Sequence, residues 1–253
     1  MLTPREHGAY GQLLFPLVSA LLIGHPAAGA YLLAATAVAL FLAHEALLVV
    51  LGQRGARASR ELGADARRTL ALFGAFFVVT GGVSLVVIPR LALWFVLLPV
   101  VLGLAVFAVV IAHRERSTSG ESLVAMALSS VSVPVALAGT VPRAAALTLF
   151  VVFAGVFVTA TVAVRSMIGR VSKVGGPPPA LSAALSVAVV SGLAVAAVSG
   201  RLPPVAPYAA MPVCAIALAL AVRPPSPRHL RAIGWTLVGA TALTAVMLVS
   251  ALA

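Results

Sequence analysis

Charge is scarce in this sequence, acidic charge most of all. Only 9% of the 253 residues are charged, against about a quarter in an ordinary soluble domain, which excludes a water-soluble globular protein. The one cysteine, Cys214, lies inside an apolar run, so a disulfide framework and a Cys-based metal site are excluded as well. The chain has no Walker loop, no G-x-G-x-x-G, no G-x-S-x-G and no H-E-x-x-H, so the familiar phosphate cradles, nucleophile elbows and zinc helices are missing. The pair His44-Glu45 lacks a second histidine at i+4. A metal site would need His7, His44, His113 and the glutamates to converge from separate helices, and none is expected.

What the sequence has is apolarity and lopsided charge: 62% hydrophobic residues, and 17 Lys and Arg against 6 Asp and Glu for a formal net charge of +11. A helix crossing about 30 Å of hydrocarbon needs roughly 20 mostly apolar residues. The runs are continuous rather than alternating, which excludes a transmembrane barrel. Nine spans are predicted, over 10–23, 27–51, 70–88, 91–112, 123–139, 144–164, 181–199, 205–222 and 232–253. The expectation is therefore an all-α polytopic protein, one membrane domain over 1–253. The first run is preceded by Glu6 and His7 rather than by a basic segment, so it reads as a span and not as a removable signal peptide.

Most prolines fall between these spans, while Pro16, Pro99, Pro134 and Pro212 fall inside them, where a missing amide donor kinks the helix. Alternating the loops puts Arg5, Arg54, Arg57, Arg60, Arg67, Arg68, Arg114, Arg116, Arg165, Arg170, Lys173, Arg223, Arg228 and Arg231 on one side, 14 of the 17 basic residues. The other side holds Arg90, Arg143 and Arg201. The positive-inside rule then places the N-terminus in the cytoplasm and the C-terminus outside, in a multi-pass protein of the inner (plasma) membrane. All six acidic residues fall on the cytoplasmic side, so ligand or reaction belongs there. Topology already accounts for the basic loops, and nucleic-acid binding is not expected.

Four clusters on that face carry candidate chemistry. The first is Arg5, Glu6, His7, Tyr10 and Gln12, polar groups entering a membrane helix together, either lining a cavity or anchoring it at the interface. The second is His44 and Glu45, about two turns inside the second span, where ionisable groups are costly and functional by default. Arg54, Arg57 and Arg60 follow and share a face if that helix continues past the membrane. The third is the loop His113-Arg114-Glu115-Arg116 with its hydroxyls, two arginines at a helix start forming a phosphate cradle or a capped topological loop. The fourth is Arg165, Ser166, Arg170 and Lys173 at the end of the sixth span.

The opening Pro4-Arg5-Glu6-His7-Gly8-Ala9-Tyr10, followed by an apolar helix with Pro16, resembles the YwiC-like family of bacterial membrane proteins. Nine spans with polar loops after the second, fourth, sixth and eighth also look, in architecture only, like the UbiA superfamily of intramembrane prenyltransferases. That second resemblance implies a cytoplasmic cavity for an isoprenoid or other lipid-linked diphosphate, held through Mg²⁺ by two Asp-rich motifs. The matching places here hold His44, Glu45, Arg54 and Arg57, then Arg165, Ser166 and Arg170, with no Asp. Arginine clusters bind phosphate directly, so no cofactor is predicted, Mg²⁺ being possible but without its Asp motifs.

Three functions fit. In the first, Arg5, Arg54, Arg57, Arg114, Arg116, Arg165, Arg170 and Lys173 bind an amphiphilic or lipid-linked phosphorylated anion, and Glu6, His7, His44 or Glu45 serve as acid or base in a metal-independent group transfer. The second is a permease for a small anion or amphiphile, and the third a non-catalytic assembly factor. Against a permease, the outer half of every span is almost free of charge.

Overall fold

Each apolar run becomes a helix because a helix satisfies its own backbone polar groups where no water can. The computed structural model describes residues 7–172, 176–223, 225 and 229–253, with side chains from residue 8 onward and none at 171 and 172. These residues form α1 (His7–Ile23), α2 (Ala28–Val50), α3 (Gly55–Val87), α4 (Arg90–Ile111), α5 (Thr118–Ser130), α6 (Ser132–Ala138), α7 (Arg143–Ser172), α8 (Pro179–Val198), α9 (Val205–Val222) and α10 (Leu230–Leu252). No strand occurs among the described residues. With α5 and α6 forming one crossing over 118–138, eight segments are long and apolar enough to span a membrane, and α1 is a shorter apolar helix. The protein is an all-helical, multi-pass membrane protein with about nine crossings.

Two segments differ from expectation. Residues 55–69, predicted as a polar loop, are the start of α3. At 33 residues that helix is about 50 Å long, some 20 Å more than the hydrocarbon thickness. Nor does α2 continue through Arg54 to Arg60. It stops at Val50, where Gly52 N–H donates to Val49 O and Gln53 N–H to Leu48 O around a left-handed Gly52. This is the Schellman closure, which a glycine favours because it has no Cβ to clash. The same paired bonds end α4, with His113 at φ +54°, and α6, with Thr140 at φ +63°. A β-branched residue is strained there, so surrounding contacts must hold Thr140 in place.

Pro16, Pro99 and Pro212 lie within continuous helices as expected. Pro134 interrupts the hydrogen-bond ladder between α5 and α6, although Val131 at the junction keeps helical angles (φ −61°, ψ −27°) and the two run on as one span over 118–138. A proline in the third position of α6 has no N–H for the carbonyl four residues back, that of Ser130. The hydroxyls around the break bond locally, Ser129 to Ala125 O, Ser130 to Ala127 O and Ser132 to Ser129 O.

The break sits at the centre of the bundle. All seven residues of α6 are buried, packed among α1, α2, α4 and α7, and α7 adds Leu149, Val152, Phe153 and Val156 to the same core. By contrast α4 buries only Ala92 and Val110, and α3 packs mainly along α2. There Thr36 donates to Thr80 Oγ1 at 2.9 Å and Gly81 meets Thr36, a small-residue contact of the kind that joins membrane helices.

The end opposite the arginine-rich loops is closed by two turns in contact. His25 N–H donates to Gly139 O at 2.9 Å, and a Cβ on Gly24 would lie 2.5 Å from that same oxygen and 2.7 Å from Val141 Cγ2. Gly24→Ala is expected to destabilise the protein by about 1–3 kcal/mol through overpacking. Gly82→Ala, where a Cβ meets nothing within 4 Å, should not. Thermal unfolding of both variants in detergent checks the contrast.

Candidate functional site

The sharp turn after α2 folds Arg54 back toward the helix it has just left. Its Nε donates to Glu45 Oε1 at 2.9 Å and its Nη2 to Glu45 Oε2 at 2.7 Å, the two-pronged geometry in which a guanidinium matches a carboxylate. The remaining prong, Nη1, donates to Glu115 Oε1 at 3.0 Å. One arginine thus bridges α2 and the loop after α4, with its side chain 20% exposed and those of both glutamates 21%.

A second clasp stands beside the first in the chain. Arg165 of α7 donates from Nε to Glu121 Oε2 at 2.7 Å, from Nη2 to Glu121 Oε1, and from Nη2 to Arg116 O at 2.6 Å. Glu121 lies in the first turn of α5, where a carboxylate also offsets the positive end of the helix dipole.

The segment joining the clasps, 113–121, is fixed by its own backbone. His113 supplies the left-handed turn, and Ser117 caps α5, its Oγ accepting from Gly120 N–H at 3.0 Å. Gly120 packs so tightly on the carbonyls of Arg114 and Glu115 that a Cβ would collide with both. The expected phosphate cradle at this helix start is therefore occupied by the chain's own serine and glutamate. His113, Arg114 and Arg116 are exposed; from Arg116 it is the carbonyl that enters the clasp.

The other candidates are dispersed. Arg57 pairs with Glu61 at 2.8 Å on the exposed side of α3, away from Arg54, because α2 ends before it. Arg170 donates to Ala221 O at 3.2 Å, at the end of α9. Tyr10 packs edge-on against Phe41 with ring centroids 4.9 Å apart. Gln12 and His44 are half-buried and Ser166 is buried. Arg5, Glu6 and Lys173 lie outside the described residues, and His7 is described only as the first residue of α1.

Glu115 and Glu121, to which the sequence assigns no binding or catalytic role, are the partners that organise the site. Their only signal in the sequence is an alternation of opposite charges, Arg114-Glu115-Arg116, followed by a glutamate at the next helix start. Among the described residues no three of His, Cys, Asp and Glu gather as metal ligands. The surface hollows formed by described residues include one of about 310 Å³ lined by Ile216, Ala219, Leu220, Val222, Arg223 and Pro225, and one of about 290 Å³ lined by Asp65, Arg68, Thr69 and Leu72. Neither includes a residue of the clasps.

Chemically, two guanidinium groups hold three carboxylates, so the charged groups of the clasps are engaged with one another. No curated protein and no solved structure matches the chain, so the likeness to the UbiA superfamily goes no further than span count and loop placement. A family model described as YwiC-like protein matches residues 3–137, a stretch that reaches into α6 and holds the whole of the Arg54 clasp. That match covers more than half of the 253 residues, and the chain belongs to the YwiC-like family.

Proposed function

We propose that this protein is a permease for an amphiphilic anion, set in the plasma membrane with its arginine-rich end in the cytoplasm and closed at that end by the two clasps. The observation that carries this is α5. It runs for 13 residues, clasped to α7 at its first turn through Glu121 and Arg165, and its hydrogen-bond ladder is interrupted at Val131, where it passes into α6. Discontinuous helices at the bundle centre are the moving and binding parts of many transporters. Buried Ser129, Ser130 and Ser132 put hydroxyls at this break, which suits a weakly polar cargo and removes the need for charges in the far half of the membrane. The anionic head of the cargo would compete with Glu121 for Arg165 and with Glu115 for Arg54, and release of α5 would open the path.

Group transfer on a lipid-linked phosphate, with Glu45 or His44 as acid or base, is supported less well. It needs Glu45 as an available acid or base, yet both oxygens of Glu45 already accept from Arg54.

Uptake of a short-chain alkyl phosphate into proteoliposomes tests the proposal. Uptake should exceed that of protein-free vesicles, and Glu121→Gln, which weakens the Arg165 clasp, should raise the initial rate severalfold. Uptake equal to the protein-free control for both proteins rules out a permease of this cargo class. Conversion of the phosphate without uptake points to the transferase.

A further inference from the structure

The hollow lined by Asp65, Arg68, Thr69 and Leu72 has no part in the clasps. It lies on α3 where the polar first third of that helix gives way to the apolar run beginning at Leu70, the depth of lipid headgroups. Asp65 and Arg68 stand at i,i+3, which places their Cβ atoms about 5–6 Å apart on one helix face. The ion pairs among the described residues include neither of them. Both are exposed, and buried Thr69 stands next to Arg68. Continuing along the same face at steps of three and four, Leu72, Phe76, Val79 and Val83 are all exposed, an unbroken apolar track pointing into the hydrocarbon.

We infer that this hollow is a seat for a phospholipid whose headgroup carries a phosphate and a primary ammonium, as phosphatidylethanolamine does. Arg68 takes the phosphate, for which a guanidinium is suited. Asp65, one turn farther from the hydrocarbon, takes the ammonium on its short linker. The acyl chains lie along Leu72, Phe76 and Val79. A purely anionic headgroup would meet the Asp65 carboxylate as a like charge, so the pairing of opposite signs selects the zwitterion. Topology accounts for Arg68 by itself, but not for an aspartate spaced one turn from it over an apolar track.

Native mass spectrometry of the purified full chain, with phosphatidylethanolamine and phosphatidylglycerol of matched acyl chains added in equal amounts, measures the selection. The wild type should retain the ethanolamine lipid over the glycerol lipid by about threefold or more, the size expected of one partly exposed ion pair. Asp65→Asn should bring the ratio to about one, Asp65→Glu should keep it, and Arg68→Gln should lower occupancy by both lipids. Thermal unfolding of each variant, unchanged at these exposed positions, separates loss of the lipid from loss of the fold. A wild-type ratio near one, a ratio unmoved by Asp65→Asn, or an occupancy unmoved by Arg68→Gln overturns the inference.

Discussion

Arg54→Met is expected to destabilise the protein by about 2–3 kcal/mol, somewhat less than the roughly 3–5 kcal/mol of breaking a fully buried pair because the cluster is partly exposed. Methionine keeps most of the stem's packing but leaves Glu45 and Glu115, both formerly bonded to Arg54, as two like charges without their cation. The damage lies mainly in those stranded carboxylates, so the triple variant Arg54→Met, Glu45→Gln, Glu115→Gln should recover much of the loss. Arg57→Met is the control. Its pair with Glu61 is exposed at both ends, and such pairs contribute about 0.3–0.5 kcal/mol. Unfolding in detergent gives the order, and equal effects at Arg54 and Arg57 would refute a structural clasp.

Gly120→Ala should cost a similar amount, about 3 kcal/mol, by a different route. The added Cβ would run into the carbonyl oxygens of Arg114 and Glu115, and backbone oxygens cannot rotate aside as a flexible side chain can. Segment 113–121 must shift, and Glu115 and Glu121, at either end of the collision, move off their arginines. The two lesions are therefore coupled. In a double-mutant cycle with Arg54→Met, the combined loss should fall short of the sum by about 1 kcal/mol or more, whereas independent sites add. Additive losses would show that the glycine matters only for its own packing. If the permease proposal holds, Gly120→Ala vesicles should also leak cargo faster than the wild type.

Much of the fold is legible because the bilayer leaves the chain so few options. The nine apolar runs, the punctuating prolines and the bias of arginine toward alternate loops each point to the same number of crossings. Legibility fails where the deciding contact is distant in sequence. Residues 55–69 are polar enough to pass for a loop, yet Leu62, Ala66 and Leu70 pack on Ala46 and Val49 of α2 and hold them helical. Gly52 announces the turn that ends α2, but His113 and Thr140 do the same work elsewhere without any such signal. Pro134 is visible as an irregularity; that it lies at the centre of the bundle follows from the packing of α6 among α1, α2, α4 and α7.

The candidate site divides in the same way. Glu45 stands out in sequence as a charge inside a span, where hydrophobic surroundings make an ionisable group expensive, and Arg54 and Arg165 as charges at the ends of spans. What satisfies each of them depends on long-range geometry: Glu115 is 61 residues from Arg54, and Glu121 is 44 from Arg165. The amino-acid sequence by itself determined that the protein is a bundle of membrane-crossing helices with its charge gathered at one end, since transfer into hydrocarbon acts on each residue separately. Only the tertiary structure decided that Arg54 and Arg165 are paired rather than open, since a guanidinium and a carboxylate pair only when the folded chain brings them within hydrogen-bonding reach.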